Sequence, residues 1–356
     1  MYPRLVIDLE KIKENVRVMR KLTDRGNCEL GIVTKSFCAD NEVVKAIDSV
    51  GVDFFADARI QNLASYKELK TPKLLLRLPQ QCEIKQVVEY ADMSLNSELV
   101  TIKLLNEEAK NQGKTHKVIL MIDLGDLREG IFFQDENVIM DTVEEILKLE
   151  NIKLQGVGVN LTCYGAVIPK KDNLSILVDI AKRIETKFNI KLDTISGGNS
   201  SSVYLIDSGE LPERINSLRL GEAFILGNET AYGERIEGTN DDAITFQAQI
   251  IELKHKPTLP IGEIGLDAFG QKPYYDDKGI AKRAILAVGK QDTDIDSMTA
   301  LDPDIYVFGA SSDHMIMDMT NSKIDYKVGD IVEFKLGYGG LLKLSTSKYV
   351  SRTYKL

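Results

Sequence analysis

The sequence predicts an N-terminal (β/α)8 TIM-type barrel followed by a smaller, mostly β domain. Three observations carry this. Eight short apolar runs alternate with helical patterns over roughly 220 residues, close to the ~250 residues such a barrel needs. No Gly-x-Gly-x-x-Gly follows the first run, which argues against an open dinucleotide-type sheet. Beyond a polar stretch at Asn228–Asp242 (NETAYGERIEGTNDD), read as a linker, little helical pattern remains. We therefore assign residues 1–230 to the barrel and 231–356 to the β domain.

The chain enters through a strand-like segment and a helix in which Leu9, Ile12, Val16 and Met19 form one apolar stripe. The eight runs follow at Glu29–Lys35, Val52–Ala56, Lys73–Leu78, Met93–Ser97, Lys117–Gly125, Lys153–Leu161, Asp193–Gly198 and Ser217–Phe224. Helical patterns fill the links at Glu42–Val50, Ile60–Leu69, Cys82–Tyr90, Leu99–Asn111, Asn137–Leu149 and Leu174–Phe188. The last link, Tyr204–Ile215, holds Gly209 and Pro212, so its helix is expected to be broken. Past the linker, Ile244–His255, Ala281–Lys290, Asp304–Gly309, Ile331–Leu336 and Leu341–Tyr354 read as strands, with a turn at Val328-Gly329-Asp330.

Composition excludes several classes. The net charge is −9 with no basic stripe, which argues against nucleic acid as a partner. No apolar run approaches membrane-spanning length, so no membrane association is expected. No signal peptide is expected either. The four cysteines form no CxxC pair, which suits reduced thiols in a cytoplasm. The three histidines have no ligand spacing, and no catalytic metal is expected.

Active sites of barrels lie at the C-terminal ends of the strands. The first run ends at Lys35, the first charge after Leu30-Gly31-Ile32-Val33-Thr34. Desolvation there would lower the amine pKa and suit it to a Schiff base; the alternative is a snorkelling lysine. The seventh run exits into Gly197-Gly198-Asn199-Ser200-Ser201-Ser202, where two glycines and four polar side chains suit a phosphate. A plain polar loop is the alternative there. Arg219, inside the apolar eighth run, is costly unless paired or bound to a ligand. An ion pair with a barrel carboxylate is the competing reading. Lysine, phosphate cradle and inward arginine around one mouth suggest pyridoxal 5′-phosphate (PLP).

These residues resemble the alanine racemase type of PLP enzyme (fold type III), and within it the ornithine racemase branch. The marks are Ile7-Asp8-Leu9, Asn15, Val33-Thr34-Lys35, Asp123 through Arg128, Gly197-Gly198-Asn199-Ser200 and Leu218-Arg219-Leu220-Gly221. The resemblance implies that Lys35 is the Schiff-base lysine and one proton carrier. It implies that Arg219 faces the pyridine nitrogen and that Ser200, Gly221 and Tyr338 hold the phosphate, with Asn199, Ser201 and Glu222 at the same cofactor site. It sets Arg128 near the substrate carboxylate. Gly309-Ala310-Ser311-Ser312-Asp313-His314 looks like a loop that reaches a neighbouring subunit's site, so a homodimer with shared active sites is implied.

One departure stands out. The segment that carries a tyrosine base in alanine racemases reads Gly262-Glu263-Ile264-Gly265-Leu266-Asp267-Ala268-Phe269-Gly270 here, without tyrosine. Asp267 is the first candidate for the opposite-face base, followed by Cys163 and His314. A diamino acid also carries a distal ammonium, for which Asp313, Asp267 or Glu222 could supply a carboxylate. The expected function is PLP-dependent racemisation of an amino acid, ornithine first. Alanine or another basic amino acid, or decarboxylation of a basic amino acid, remains the alternative. A PLP carrier and a cofactor-free Schiff-base aldolase are further rivals.

Overall fold

The computed structural model describes residues 1–355, in two units. One is Lys11–Asp241; the other joins Met1–Glu10 to the chain from Asp242 onward. The boundary therefore lies a little beyond the expected residue 230, and the first ten residues group with the second unit. The cause is β1 (Arg4–Asp8), which pairs with strands from the far end of the chain.

The first unit is the expected barrel. Its strands are β2 (Glu29–Val33), β3 (Phe54–Asp57), β4 (Lys73–Leu75), β5 (Met93–Asn96) and β6 (His116–Asp123). A two-residue strand, β7 (Ile131–Phe132), lies beside β6, and β8 (Ile152–Gly158), β9 (Thr194–Ser196) and β10 (Ser217–Leu220) complete the set. All pairings are parallel. β5 pairs with β6 and β10 pairs with β2, so the ring closes and no edge is left to aggregate. Between the strands run α1 (Leu9–Arg25), α2 (Asn41–Asp48), α3 (Ile60–Ser65), α4 (Ile84–Tyr90), α5 (Leu99–Asn111), α6 (Glu136–Leu147), α7 (Lys171–Phe188), α8 (Tyr204–Asp207) and α9 (Glu222–Leu226). The eighth run was read as strand to Phe224; it turns helical after Gly221 instead.

Alternation along the strands fills the interior. Val33, Phe54, Ala56, Leu74, Leu95, Ile119 and Met121 form one buried cluster. Each fully buried large side chain of this kind contributes about 1.5–3 kcal/mol. Gly31 pairs with Phe54 and leaves its space to that ring, which a Cβ would meet at 2.2 Å. Gly156 follows an extra residue, Gln155, where β8 slips against β6. A Cβ at Gly156 would lie 1.7 Å from the carbonyl oxygen of Thr194, so only glycine lets β8 and β9 close there.

The polar segment 228–241 is held on the barrel. The Glu229 carboxylate accepts from the amides of Ala231, Tyr232 and Glu234 at 2.7–2.9 Å. Asn15 donates to the carbonyls of Phe224 and Asn240 and accepts from the Asn240 amide. It thereby ties α1, α9 and the end of the segment together.

The second unit is an eight-stranded, mostly antiparallel sheet. Its members are β1, β11 (Ile244–Pro257), β12 (Ile280–Leu286), β13 (Met298–Ala300), β14 (Tyr306–Ala310), β15 (Met315–Asp318), β16 (Ile331–Leu336) and β17 (Ser351–Lys355). The stretch Leu341–Tyr354 was expected as a single strand. It folds as α10 (Tyr338–Thr346) followed by β17. Leu341, Leu344 and Ser345 are buried at helical spacing. Gly340 lets the helix approach Ser297, whose carbonyl oxygen a Cβ would meet at 2.7 Å. A short leucine-rich run does not by itself separate the two periods.

His116 opens β6, is buried, and shares a 2.8 Å hydrogen bond with Ser94 Oγ. Burial pushes its pKa down to about 4. The folded state thus binds this proton less readily than the unfolded chain, whose value is near 6.5. Stability from this group is complete above pH ~6.5 and is lost as pH falls toward 4, by up to about 3 kcal/mol. Urea unfolding measured across this range is expected to show that decline, and His116→Gln is expected to flatten it.

Candidate active site

Lys35 lies just past β2, half-buried, as the first residue of a 3-10 turn spanning Lys35–Phe37. The residue before it fixes the backbone. Thr34 is buried, and its hydroxyl donates to Asp57 Oδ2 at 2.6 Å and lies 3.2 Å from Tyr66 Oη. Asp57 ends β3 and also accepts from the Arg59 amide and the Asn62 side chain. Burial pushes the Asp57 carboxyl up; hydrogen bonds from Thr34, Arg59 and Asn62, and the charge of Lys35, oppose the rise. A shielded carboxyl thus lies near the lysine. Its signal in the sequence is its place: β3 ends on this aspartate just as the preceding run ends on Lys35.

Ser200, Ser201 and Ser202 form a buried 3-10 turn. Asn199 caps it, accepting from the Ser201 amide at 2.8 Å. Ser200 Oγ accepts from the amides of Gly221 and Ala223, at 3.2 and 3.1 Å. Its own proton remains to donate. Ser201 Oγ is buried with no hydrogen-bond partner. A buried hydroxyl left in this state costs about 1–3 kcal/mol, which a bound anion would offset. Gly221 joins this cradle through its amide, and a Cβ on it would meet Val33 at 3.4 Å. Glu222 starts α9 half-buried, and burial pushes its carboxyl up.

Arg219 is buried in β10, beside Gly31 of β2. It forms no ion pair among the described residues. Its Nη2 donates to the Val159 carbonyl at 2.7 Å and its Nη1 to Ser196 Oγ. Two of its five N–H donors are thereby used, and the others remain for a ligand. Burial pushes its pKa down to about 10, so it stays protonated at neutral pH.

The loops after β6 and β8 are tied by a buried carboxylate. Asp126 is fully buried and accepts from the amides of Thr162, Tyr164 and Val167. Asp123 accepts from the Gly125 and Leu127 amides. Between them they set Arg128, whose guanidinium forks onto both oxygens of Glu129. That hydrogen bonding raises the Arg128 pKa, and the Cys163 thiol lies close enough to add to it. Asn199 Nδ2 also points to Cys163 Sγ, at 3.5 Å. The Asn160 carboxamide sits between Asn199 and Arg128. In one orientation its oxygen accepts from Asn199 at 3.1 Å, in the other from Arg128 at 2.8 Å. Glu129 and Asn160 belong to this mouth, and their sequence signal was adjacency to Arg128 and to the exit of β8.

The barrel unit therefore contains Lys35, Arg128, Cys163, Asn199, Ser200, Ser201, Arg219, Gly221 and Glu222, on strand exits of the same polarity. Asp267, Asp313, His314 and Tyr338 belong to the other unit. Asp267 holds a turn: its Oδ1 accepts from the Gln271 and Phe269 amides, which keep the carboxyl below its ordinary value. Asp313 and His314 close the tight loop between β14 and β15, Oδ1 to Nδ1 at 2.9 Å. That contact lowers the Asp313 pKa. Tyr338 begins α10, half-buried.

Residues 7–229 match the family model described as alanine racemase, N-terminal domain. The chain belongs to the alanine racemase family. Among relatives of this alanine racemase family member, ornithine racemase of Acetoanaerobium sticklandii is 57% identical over 99% of both chains. Lysine racemase of Thermotoga maritima is 36% identical over 100% of this chain and 99% of its own. The solved alanine racemase from Bartonella henselae with covalently bound pyridoxal phosphate superposes with a TM-score of 0.72 at 17% identity, covering 99% of each chain. This alanine racemase family member is an amino-acid racemase with the barrel and β domain of that fold.

The Arg128–Glu129 fork gives a test of how this mouth is ordered. Glu129→Gln removes the charge that holds the guanidinium and is expected to raise KM for the amino acid roughly tenfold, with kcat changed less. Steady-state kinetics decide; an unchanged KM would show that the fork does not order substrate binding.

Proposed function

We propose that this chain racemises ornithine with PLP. The observation that carries the reading is the 57% identity to an ornithine racemase along nearly the whole of both chains. Lysine is the second reading, supported by the 36% match to a lysine racemase.

The cradle fits the cofactor. The orphaned Ser201 hydroxyl and the spare proton of Ser200, which the Gly221 amide orients, suit its phosphate. When bound, the cofactor supplies an electron sink for negative charge at the substrate Cα. Lys35 would hold it covalently and carry the Cα proton on one face. Arg219 would face the ring nitrogen; its N–H can donate, but it does not give up its proton. That keeps the ring nitrogen neutral, which limits side reactions. Arg128, held by Glu129, would take the substrate carboxylate as a planar fork.

Racemisation needs a second proton carrier on the opposite face. Asp267 is a weak base because two backbone amides hold its charge. Cys163 shares the barrel unit with Lys35 and lies beside Asn199. This favours Cys163 over Asp267, with His314 third. Reduced thiols suit a cytoplasmic enzyme, and no disulfide joins the four cysteines among the described residues. No helix among the described residues is long and apolar enough to cross a membrane.

Either pure enantiomer of ornithine, incubated in heavy water, is expected to become a mixture with deuterium at Cα. Ornithine should show the highest kcat/KM in a panel with lysine and alanine. Lys35→Ala should lose both activity and the cofactor's visible absorbance. Conversion without deuterium uptake, or release of carbon dioxide, would sink the proposal. In Cys163→Ser, exchange without inversion would identify the opposite-face carrier; unchanged racemisation would remove it.

We also propose a homodimer in which the loop with Asp313 and His314 completes the partner's site. Specific activity is then expected to fall on dilution below the dimer dissociation constant. Full activity in a monomer shown by sedimentation would refute shared sites.

A further inference from the structure

The barrel has a second concave feature, at the end opposite Lys35. A cavity of about 490 Å³ lies at the N-terminal ends of β4, β5 and β6, where α3, α4 and α5 finish. Five lysines line it, Lys67, Lys70, Lys73, Lys114 and Lys117, against two carboxylates, Glu89 and Asp92. That is a surplus of three positive charges, on a chain whose net charge is −9. His116, also in the lining, is neutral at physiological pH.

Two of these lysines are structural. Lys73 is buried, and its Nζ donates to the carbonyls of Leu69 and Thr71 at 2.6 and 3.2 Å. Lys114 Nζ donates to Val88 and Glu89 carbonyls in the last turn of α4, at 2.9 and 3.1 Å. Lys114 answers carbonyls left at the end of α4, and Lys73 answers two in the loop that follows α3. The other three differ. Lys67, Lys70 and Lys117 form no ion pair or side-chain hydrogen bond among the described residues. Lys117 also faces the Glu29 carboxylate, whose rise in pKa its charge opposes.

Like charges gathered round a concave floor focus a positive potential into it. Compact ammonium groups on flexible stems suit phosphate oxygens. The volume exceeds what a lone phosphate needs and falls in the range of small-molecule pockets. Leu69, Val88 and the half-buried ring of Tyr90 add an apolar wall. We propose that this floor of the barrel binds a nucleoside polyphosphate, with Lys67, Lys70 and Lys117 on the phosphates and Tyr90 beside the base. The site is separate from the one that holds Lys35.

The test uses the PLP-loaded enzyme, so that the cofactor's own phosphate cradle is filled. Calorimetric titration with ATP is expected to show saturable binding that weakens as salt rises. Adenosine should not bind, and pyrophosphate should bind more weakly than ATP. The double variant Lys67→Glu/Lys70→Glu alters only exposed side chains and is expected to weaken ATP binding roughly tenfold or more, with racemisation and thermal unfolding unchanged. No saturable binding by the wild type, equal binding by the double variant, or adenosine binding as well as ATP would overturn the proposal.

Discussion

Pairing of the last barrel strand with the first is the constraint on which the site depends. β10 and β2 are far apart in sequence, yet Ser217–Leu220 runs in register with Glu29–Ile32. That register brings Arg219 beside Gly31 and sends the chain from Leu220 into Gly221 next to the exit of β2. Lys35 follows on one side of the seam and the Ser200 cradle on the other. Slipping the pair by one residue would turn Arg219 out of the barrel and a leucine into its place. Closure is thus what makes an arginine, a lysine and a serine turn into neighbours.

Around this seam the loops are tied mainly by carboxylates that accept from backbone amides. Asp57 takes Arg59, Asp123 takes Gly125 and Leu127, and Asp126 takes three amides of the following loop. Hydrogen bonds of this charge-assisted kind are short and directional, and they fix a loop more closely than an exposed ion pair does. The Arg128–Glu129 ion pair at the mouth fixes the guanidinium, a planar group. Among the buried polar atoms left without a partner, Ser201 Oγ is the one that belongs to the Asn199–Ser202 turn.

Much of this was legible in the chain. The eight apolar runs and their links gave the barrel because parallel strands buried on both faces read as unbroken apolar stretches. Lys35, Arg219 and the Asn199–Ser201 turn stood out because each breaks such a stretch at a strand exit or inside it. What escaped has a common cause. Asp57, Glu129 and Asn160 are ordinary polar residues at ordinary exits, and only the folded ring sets them against Thr34, Arg128 and Asn199. Leu341–Tyr354 misled because a short leucine-rich run fits both periods, and the close packing of α10 on Ser297, which Gly340 admits, is visible only in the fold. The five lysines of the barrel floor lie over a span from Lys67 to Lys117, with acidic residues among them, so they form no stripe until three helices finish side by side.

The place of β1 has a consequence for how the protein is made. Arg4–Asp8 pairs in parallel with Ser351–Lys355, and the barrel is in effect an insertion between β1 and its partners. A nascent chain therefore carries its first strand unpaired throughout synthesis of the barrel. The barrel can close while β1 waits, but the sheet of the second unit cannot be completed until β17 is released. The largest loop-closure cost of the fold is thus deferred to its last step. Neither unit can be isolated by a single cut: freeing the barrel takes two, one in α1 and one near Asp241.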